Sequence, residues 1–232
     1  MKVYFLSGLG ADKTVFQFLD LSFCEPVFVE WIAPQKKESL PSYAIRIKDA
    51  YNIPGDAIIA GLSFGGMLAT EIAKTNPSMY VVLISSAKTK NEFPGFYQMG
   101  KFFSVHNWAT RDMQRLFMLN IKWLFSLKSP LYIKVYEDLI KNSDTDFNKW
   151  AVNALLNWNN MEIPGNIVHI HGTHDKIIPY KNVQCDYTIK QGGHLMVMEQ
   201  AELVSNIFRE IINQRNSILS SSASQPVHQS QA

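Results

Sequence analysis

Short apolar runs alternate along this chain with segments whose apolar residues recur at intervals of three and four. Lys2–Leu6 reads as a strand, followed by a glycine-rich turn, Ser7 to Asp12, into a helix carrying Val15, Phe16, Phe18 and Leu19. Val27 to Ile32 reads as the next strand. A helix around Tyr43 to Tyr51 presents Ala44, Ile47 and Tyr51 on one face, and Pro54-Gly55 breaks the chain after it. The run Asp56-Ala57-Ile58-Ile59-Ala60 predicts a strand ending at Gly61, and Phe64, Met67, Leu68 and Ile72 wind as a helix directly behind it. Tyr80–Ile84 is another buried strand. Strands that alternate with helices in this way pair in parallel, because each crossover brings the chain back to the same edge of the sheet.

From about Lys88 to Asn160 the pattern changes to helices with no credible strand between them. Ser129-Pro130 marks one helix start. Asp144 or Ser143 caps another, which carries Phe147, Trp150, Ala151, Ala154, Leu155 and Trp158. Alternation resumes with the strand Ile167–Ile170, the strand-like Cys185–Ile189 and a final helix from about Val197 to Asn213. Beyond Asn216 the chain turns to Ser, Gln and Ala without aromatics, so residues 216–232 are expected to be a disordered tail.

The chain has 232 residues, enough for one domain with a large core, and 47% hydrophobic against 18% charged residues argues for a folded protein. A net charge of +2, with basic residues scattered among acids, gives no footprint for nucleic acid. The first six residues hold too short an apolar run for a secretory leader, and no run approaches the eighteen or so apolar residues of a membrane span, so the expected location is cytoplasmic. Cys24 and Cys185 lack the spacing of a redox pair and read as small buried side chains.

Chemistry concentrates in three segments. Gly61-Leu62-Ser63-Phe64-Gly65 puts a serine at a sharp turn between strand and helix, where glycines two positions either side leave room to lift the hydroxyl clear of the backbone. Such a match arises by chance roughly 0.1 times in a chain of ordinary glycine usage; the flanking strand and helix are what make it informative. His171-Gly172-Thr173-His174-Asp175 follows a strand, and Gly192-Gly193-His194 follows the next. With Ser, Asp and His in that chain order, and the serine in its elbow, the sequence resembles the α/β-hydrolase family over roughly Lys2 to Asn213.

The resemblance implies an α/β three-layer sandwich around a mostly parallel sheet of about six strands. It lacks the family's usual first hairpin, because the loop after the first strand arrives within seven residues of the start. Residues 1–87 and 161–215 would form the core and residues 88–160 a helical cap over the active site. It also implies roles: Ser63 as nucleophile, His194 as the base that takes and returns its proton, and Asp175 to orient the imidazole. The oxyanion would be held by the backbone N–H groups of Phe64 and Leu9. Ser7-Gly8 stands where many relatives have His-Gly, which keeps the backbone donor and loses an imidazole.

Each residue has a structural competitor: Ser63 as a helix cap, Asp175 as a turn residue before Ile177-Ile178-Pro179, and His194 as a core histidine. Asp12 and Glu92 stand as fallback acids. A metal reading competes as well, since His169-x-His171-x-x-His174-Asp175 is similar to the His-x-His-x-Asp-His signature of metallo-β-lactamase-like zinc hydrolases, but Thr173 stands where that signature has aspartate. His169 then reads as a packed strand residue and His171 as a turn residue.

The cap segment is rich in large apolar groups. Phe93, Phe96, Trp108 and Phe117 are the candidate substrate contacts among them, pointing to an apolar acyl or alcohol group. The sequence therefore predicts a cofactor-independent and metal-independent serine hydrolase that cleaves a carboxylic ester of a small or medium apolar molecule, with no nucleic-acid partner and no stable membrane insertion. The alternatives are thioesterase, lactonase or carbon–carbon hydrolase chemistry, and a ligand-binding or receptor protein of low turnover on the same fold.

Overall fold

A computed structural model describes residues 1–95 and 110–223. Six strands, β1 (Lys2–Leu6), β2 (Glu25–Val29), β3 (Ile58–Leu62), β4 (Tyr80–Ile84), β5 (Ile167–Gly172) and β6 (Tyr187–Ile189), form one sheet in the order β2-β1-β3-β4-β5-β6. Every neighbouring pair is parallel. The chain leaves β1 to one side to make β2 and crosses back to make β3 on the other. The carboxyl ends of β1 and β3 are thus the point where strand order reverses, the place where open parallel sheets leave a crevice for ligands.

The alternation of side chains along each strand divides the interior into two cores. Tyr4, Leu6, Ile59, Val81 and Leu83 face helices α1 (Leu40–Ala50) and α2 (Phe64–Ala73), together with Phe147, Ala151 and Trp158. Val3, Phe5, Ile58, Val82 and Ile170 face the opposite way, onto Val204, Phe208, Ile211 and Ile212 of the last helix. Both sheet faces are covered, which is why the strands read as continuous apolar runs rather than as alternating ones.

Between β4 and β5 the described residues hold α3 (Arg111–Asn120), a 3₁₀ turn (Lys122–Phe125), α4 (Pro130–Asn142) and α5 (Thr145–Asn157), and no strand. Asp144 caps α5 by accepting from the amides of Asp146 and Phe147, at 2.9 and 3.1 Å. Ser129 sits at the α4 cap position, but the amides there are met by Glu199, whose Oε1 accepts from Ser129 N at 2.9 Å and from Lys128 N at 2.5 Å.

Three expectations about elements need correction. The second strand, expected from Val27 to Ile32, runs Glu25–Val29 in register with Lys2–Leu6. The segment after Asp12 makes only the short 3₁₀ turn Lys13–Phe16, because Asp12 Oδ1 caps it at Thr14 N and the chain must turn at once toward β2. The last helix, α6, runs Ala201–Ala223, beyond the expected end at Asn213 and through the first part of the segment read as a tail. From Asn216 to Ile218 that extension is exposed, so helix propensity and local bonds such as Ser217 Oγ to Gln214 O sustain it without core packing. No helix among the described residues is long and apolar enough to cross a membrane.

Candidate active site

Ser63 lies between β3 and α2 with φ 52° and ψ −118°, a left-handed backbone conformation that a serine adopts only when its surroundings hold it there. They do so from both sides. Its amide donates to Ile84 O at 2.9 Å, and its carbonyl accepts from Gly66 N at 2.9 Å and from Ser86 Oγ at 2.7 Å. The helix also has to pass close under β1: a Cβ on Gly65 would lie 2.3 Å from the carbonyl oxygens of Leu6 and Ser7. The elbow therefore requires that glycine for the close approach of two backbones.

His194 comes from the loop after β6 and Asp175 from the loop after β5. His194 Nε2 is 2.9 Å from Ser63 Oγ, and His194 Nδ1 is 2.8 Å from Asp175 Oδ2. The second carboxylate oxygen, Oδ1, accepts from the amides of Ile177 and Ile178 at 2.8 and 2.9 Å. Burial pushes the Asp175 carboxyl upward, but His194, His171 and the Ile178 amide more than offset it, so its pKa lies below the ordinary 3.8. Its charge is held at neutral pH and aimed at the imidazole. His194 is only 2% exposed, not the exposed loop residue its glycine neighbours suggest, because Phe125 of the inserted segment lies edge-on to its ring at 5.7 Å.

The two amides assigned to the oxyanion flank the serine. Phe64 is the first residue of α2, where an N–H has no intrahelical acceptor. Leu9 lies in the loop after β1, and its N–H has no partner among the described residues. That loop is braced by Ser7 Oγ and Trp31 Nε1, which both donate to Ala11 O, at 2.9 and 3.1 Å. The buried Ser7 hydroxyl thus closes the turn that presents Leu9.

Ser63, His194, Leu9 and Phe64 line a cavity of about 200 Å³ whose other walls are almost wholly apolar, among them Leu62, Phe125, Tyr136, Leu155 and Ile177. The aromatic candidates from the sequence lie elsewhere. Phe93 packs edge-on against Trp158 at 6.0 Å, and Phe117, 63% exposed on α3, lines a neighbouring chamber instead. Phe96 and Trp108 fall outside the described residues. The walls that do line the cavity include Phe125, the ring of Tyr136 and aliphatic residues of α4 and α5. The fallback acids are engaged elsewhere: Asp12 caps its turn, and Glu92 accepts from Lys88 N.

Behind Asp175 stands a feature the sequence reading placed differently. His171 is a buried residue of β5 and not a turn residue, and its ring meets that of His169 edge-on. His171 Nε2 is 2.8 Å from Ile178 O, and a carbonyl only accepts, so that nitrogen carries the proton. His171 Nδ1 must then accept, across 3.1 Å, from His169 Nε2. His169 Nδ1 is buried with no hydrogen-bond partner among the described residues. His171 Nε2 also lies 3.5 Å from Asp175 Oδ2. Burial lowers the pKa of both histidines, for His169 well below 6.5, with the neighbouring ring and Lys88 adding repulsion. His174 is exposed, both nitrogens of His171 are committed to protein partners, and no group of three metal-ligating side chains is assembled among the described residues.

No protein-family model and no curated protein matches the sequence. Solved structures do match the fold. An esterase from Thermogutta terrifontis with malate bound aligns with a TM-score of 0.73 at 16% identity, over 92% of this chain and 90% of that one. An esterase from Exiguobacterium antarcticum aligns with a TM-score of 0.72 at 13% identity, over 92% of each chain. A meta-cleavage product hydrolase from Pseudomonas fluorescens aligns with a TM-score of 0.66 at 17% identity, over 93% of this chain and 91% of that one.

Proposed function

The chain has the α/β-hydrolase fold, and on that premise we propose that it is a serine hydrolase that cleaves carboxylic esters of small or medium apolar molecules through an acyl-enzyme. The observation that carries this reading is the continuous series of short contacts from Ser63 Oγ through His194 to Asp175, at 2.9 and 2.8 Å, at the wall of an apolar cavity.

In this mechanism Ser63 Oγ attacks the ester carbonyl as His194 Nε2 takes its proton. Asp175, ionised, holds His194 Nδ1–H and stabilises the imidazolium while it exists. The carbonyl oxygen, now charged, is met by the N–H groups of Leu9 and Phe64. Collapse of the tetrahedral intermediate expels the alcohol, which leaves with the proton from His194, and Ser63 stays acylated. A water then enters, gives a proton to His194 and attacks the acyl carbonyl; the acid departs as Ser63 recovers its proton. The buried elbow and the aliphatic walls from α4 and α5, which we read as parts of a cap, favour an apolar group beside the scissile bond.

The test is intact-mass spectrometry after exposure to a fluorophosphonate, on the wild type and on Ser63→Ala. A single adduct that maps to Ser63 and is missing from the variant is expected, with kcat for an ester reduced on the order of 10⁶ in Ser63→Ala, the scale seen when the nucleophile of a triad is removed. A tenfold loss would rule the mechanism out. A folded protein that takes no adduct and turns over no ester would transfer the reading to a binding protein on the same fold.

A further inference from the structure

A second chamber, of about 320 Å³, opens beside the first and shares with it Leu9, Met118, Ile140 and Val152. Its walls come mostly from α3 and α5 and present mainly apolar surface, but two basic residues, Arg115 and Lys149, stand among them. Two neighbouring basic residues of the inserted segment have acid partners, Arg111 with Asp146 at 2.6 Å and Lys122 with Glu137 at 2.7 Å. The Arg115 side chain, half-buried with its Nε shielded, has neither an ion pair nor a hydrogen bond among the described residues. A guanidinium is charged and a buried N–H without an acceptor is costly, so this side chain is open to an acceptor from outside the protein. Across the chamber Asn148 presents a second orphan, a buried Oδ1 that accepts from nothing, while its amide nitrogen donates to Ser143 Oγ at 2.9 Å.

We infer that the substrate carries a carboxylate on the arm remote from the scissile bond, and that Arg115 binds it while the ester lies at Ser63. This rests on the hydrolase reading and deepens it: the ester would be one terminus of a short apolar chain, and the acid the other. A planar guanidinium fits a carboxylate through paired N–H donors, and the apolar surface beside it suits the aliphatic chain that carries the acid. Asn148 Oδ1 marks where a hydroxyl or amide N–H on the same arm donates. Arg115 touches no reacting atom in this arrangement; it sets specificity.

The test compares 4-nitrophenyl monoesters of dicarboxylic acids, from succinate to suberate, with their methyl-capped neutral counterparts. At one chain length the free acid should exceed the neutral ester in kcat/KM roughly ten- to hundredfold, the range a charged hydrogen bond supports. That ratio should collapse toward one in Arg115→Gln and fall part of the way in Arg115→Lys. The wild-type comparison needs no variant, so a variant that fails to fold does not remove the test. A neutral ester preferred at every length, or a preference that survives Arg115→Gln, overturns the inference. Fluorophosphonate labelling and calorimetry with methyl adipate separate the two readings. A protein that labels at Ser63 without an acid preference keeps the hydrolase and loses the carboxylate site. One that does not label, but binds methyl adipate at least tenfold more weakly as Arg115→Gln, keeps the site and loses the hydrolase. Failure of both arms overturns both.

Discussion

Replacing His169 by glutamine should make the protein less sensitive to mild acid. His169 is fully buried in β5, with its Nε2–H committed to His171, and it stays neutral in the folded protein because burial holds its pKa well below 6.5. In the unfolded chain it titrates near ~6.5. As pH falls, the unfolded state therefore takes up a proton that the folded state refuses, and stability falls with it. The contribution is fully present above about pH 7 and is lost progressively as pH drops through ~6.5, until the folded histidine itself protonates. Between pH 7 and 5.5 a histidine kept neutral costs about 1.2 kcal/mol by linkage, which for a domain of this size is about 3 to 5 °C in Tm. His171, lowered in the same direction, adds up to as much again. Asp175 does not enter this window, because its depressed carboxyl pKa contributes stability that is lost only in more acidic solution. Glutamine keeps an N–H for His171 Nδ1 and cannot titrate. Thermal melts at pH 5.5, 6, 6.5 and 7 should show the variant losing about 3 to 5 °C less than the wild type over that interval. Equal pH slopes in the two proteins would mean that His169 takes up its proton without unfolding, and the tautomer assignment would fall with it.

Two further outcomes follow from packing. Glu71→Gln should destabilise by about 1–3 kcal/mol in urea unfolding, because Glu71 is 3% exposed and joins Trp158 Nε1 at 2.7 Å to Lys74 Nζ at 2.5 Å, and glutamine leaves the half-buried ammonium without its counter-charge; an unchanged midpoint would mean that solvent already satisfies Lys74. Gly65→Ala should be much more damaging than Gly66→Ala by thermal melting, since the new methyl group meets the carbonyl oxygens of Leu6 and Ser7 in the first case and the side chain of Ser86 in the second, and the reverse order would contradict the packing described at the elbow.

The strands and the three chemical segments were legible because each rests on a local signal. Apolar runs bounded by turns located β1, β3 and β4, and the spacing of Phe147, Ala151 and Ala154 located α5 behind its Asp144 cap. The contact from His194 to Ser63 spans 131 positions, yet each residue announces itself by its own turn. What escaped depends on contacts across the fold. His171 looked like a turn residue because glycine follows it, but the strand extends two residues past Ile170 by pairing with β6. The cap aromatics were chosen by size, whereas the cavity is walled by whichever helix faces it, and that orientation comes from packing of α4 and α5 on the sheet rather than from composition. Arg115 gave no sign at all, since a basic residue on an amphipathic helix reads as solvated until its neighbours are found to be paired without it.

The inserted segment is held unevenly. Its exit is bound to helix α2 through Trp158 and Glu71 and through Asn160, which accepts from Lys74 Nζ at 3.1 Å, while Phe125 and the Glu199 contact secure its middle to the His194 loop and the residues after it. By contrast α3 has no buried residue. The part that faces the second chamber is thus the part least committed to the rest of the molecule. Substitutions there can accumulate without disturbing either the sheet or the serine, so on the proposed reading a lineage carrying this architecture could change what it accepts while what it does to the bond stays the same.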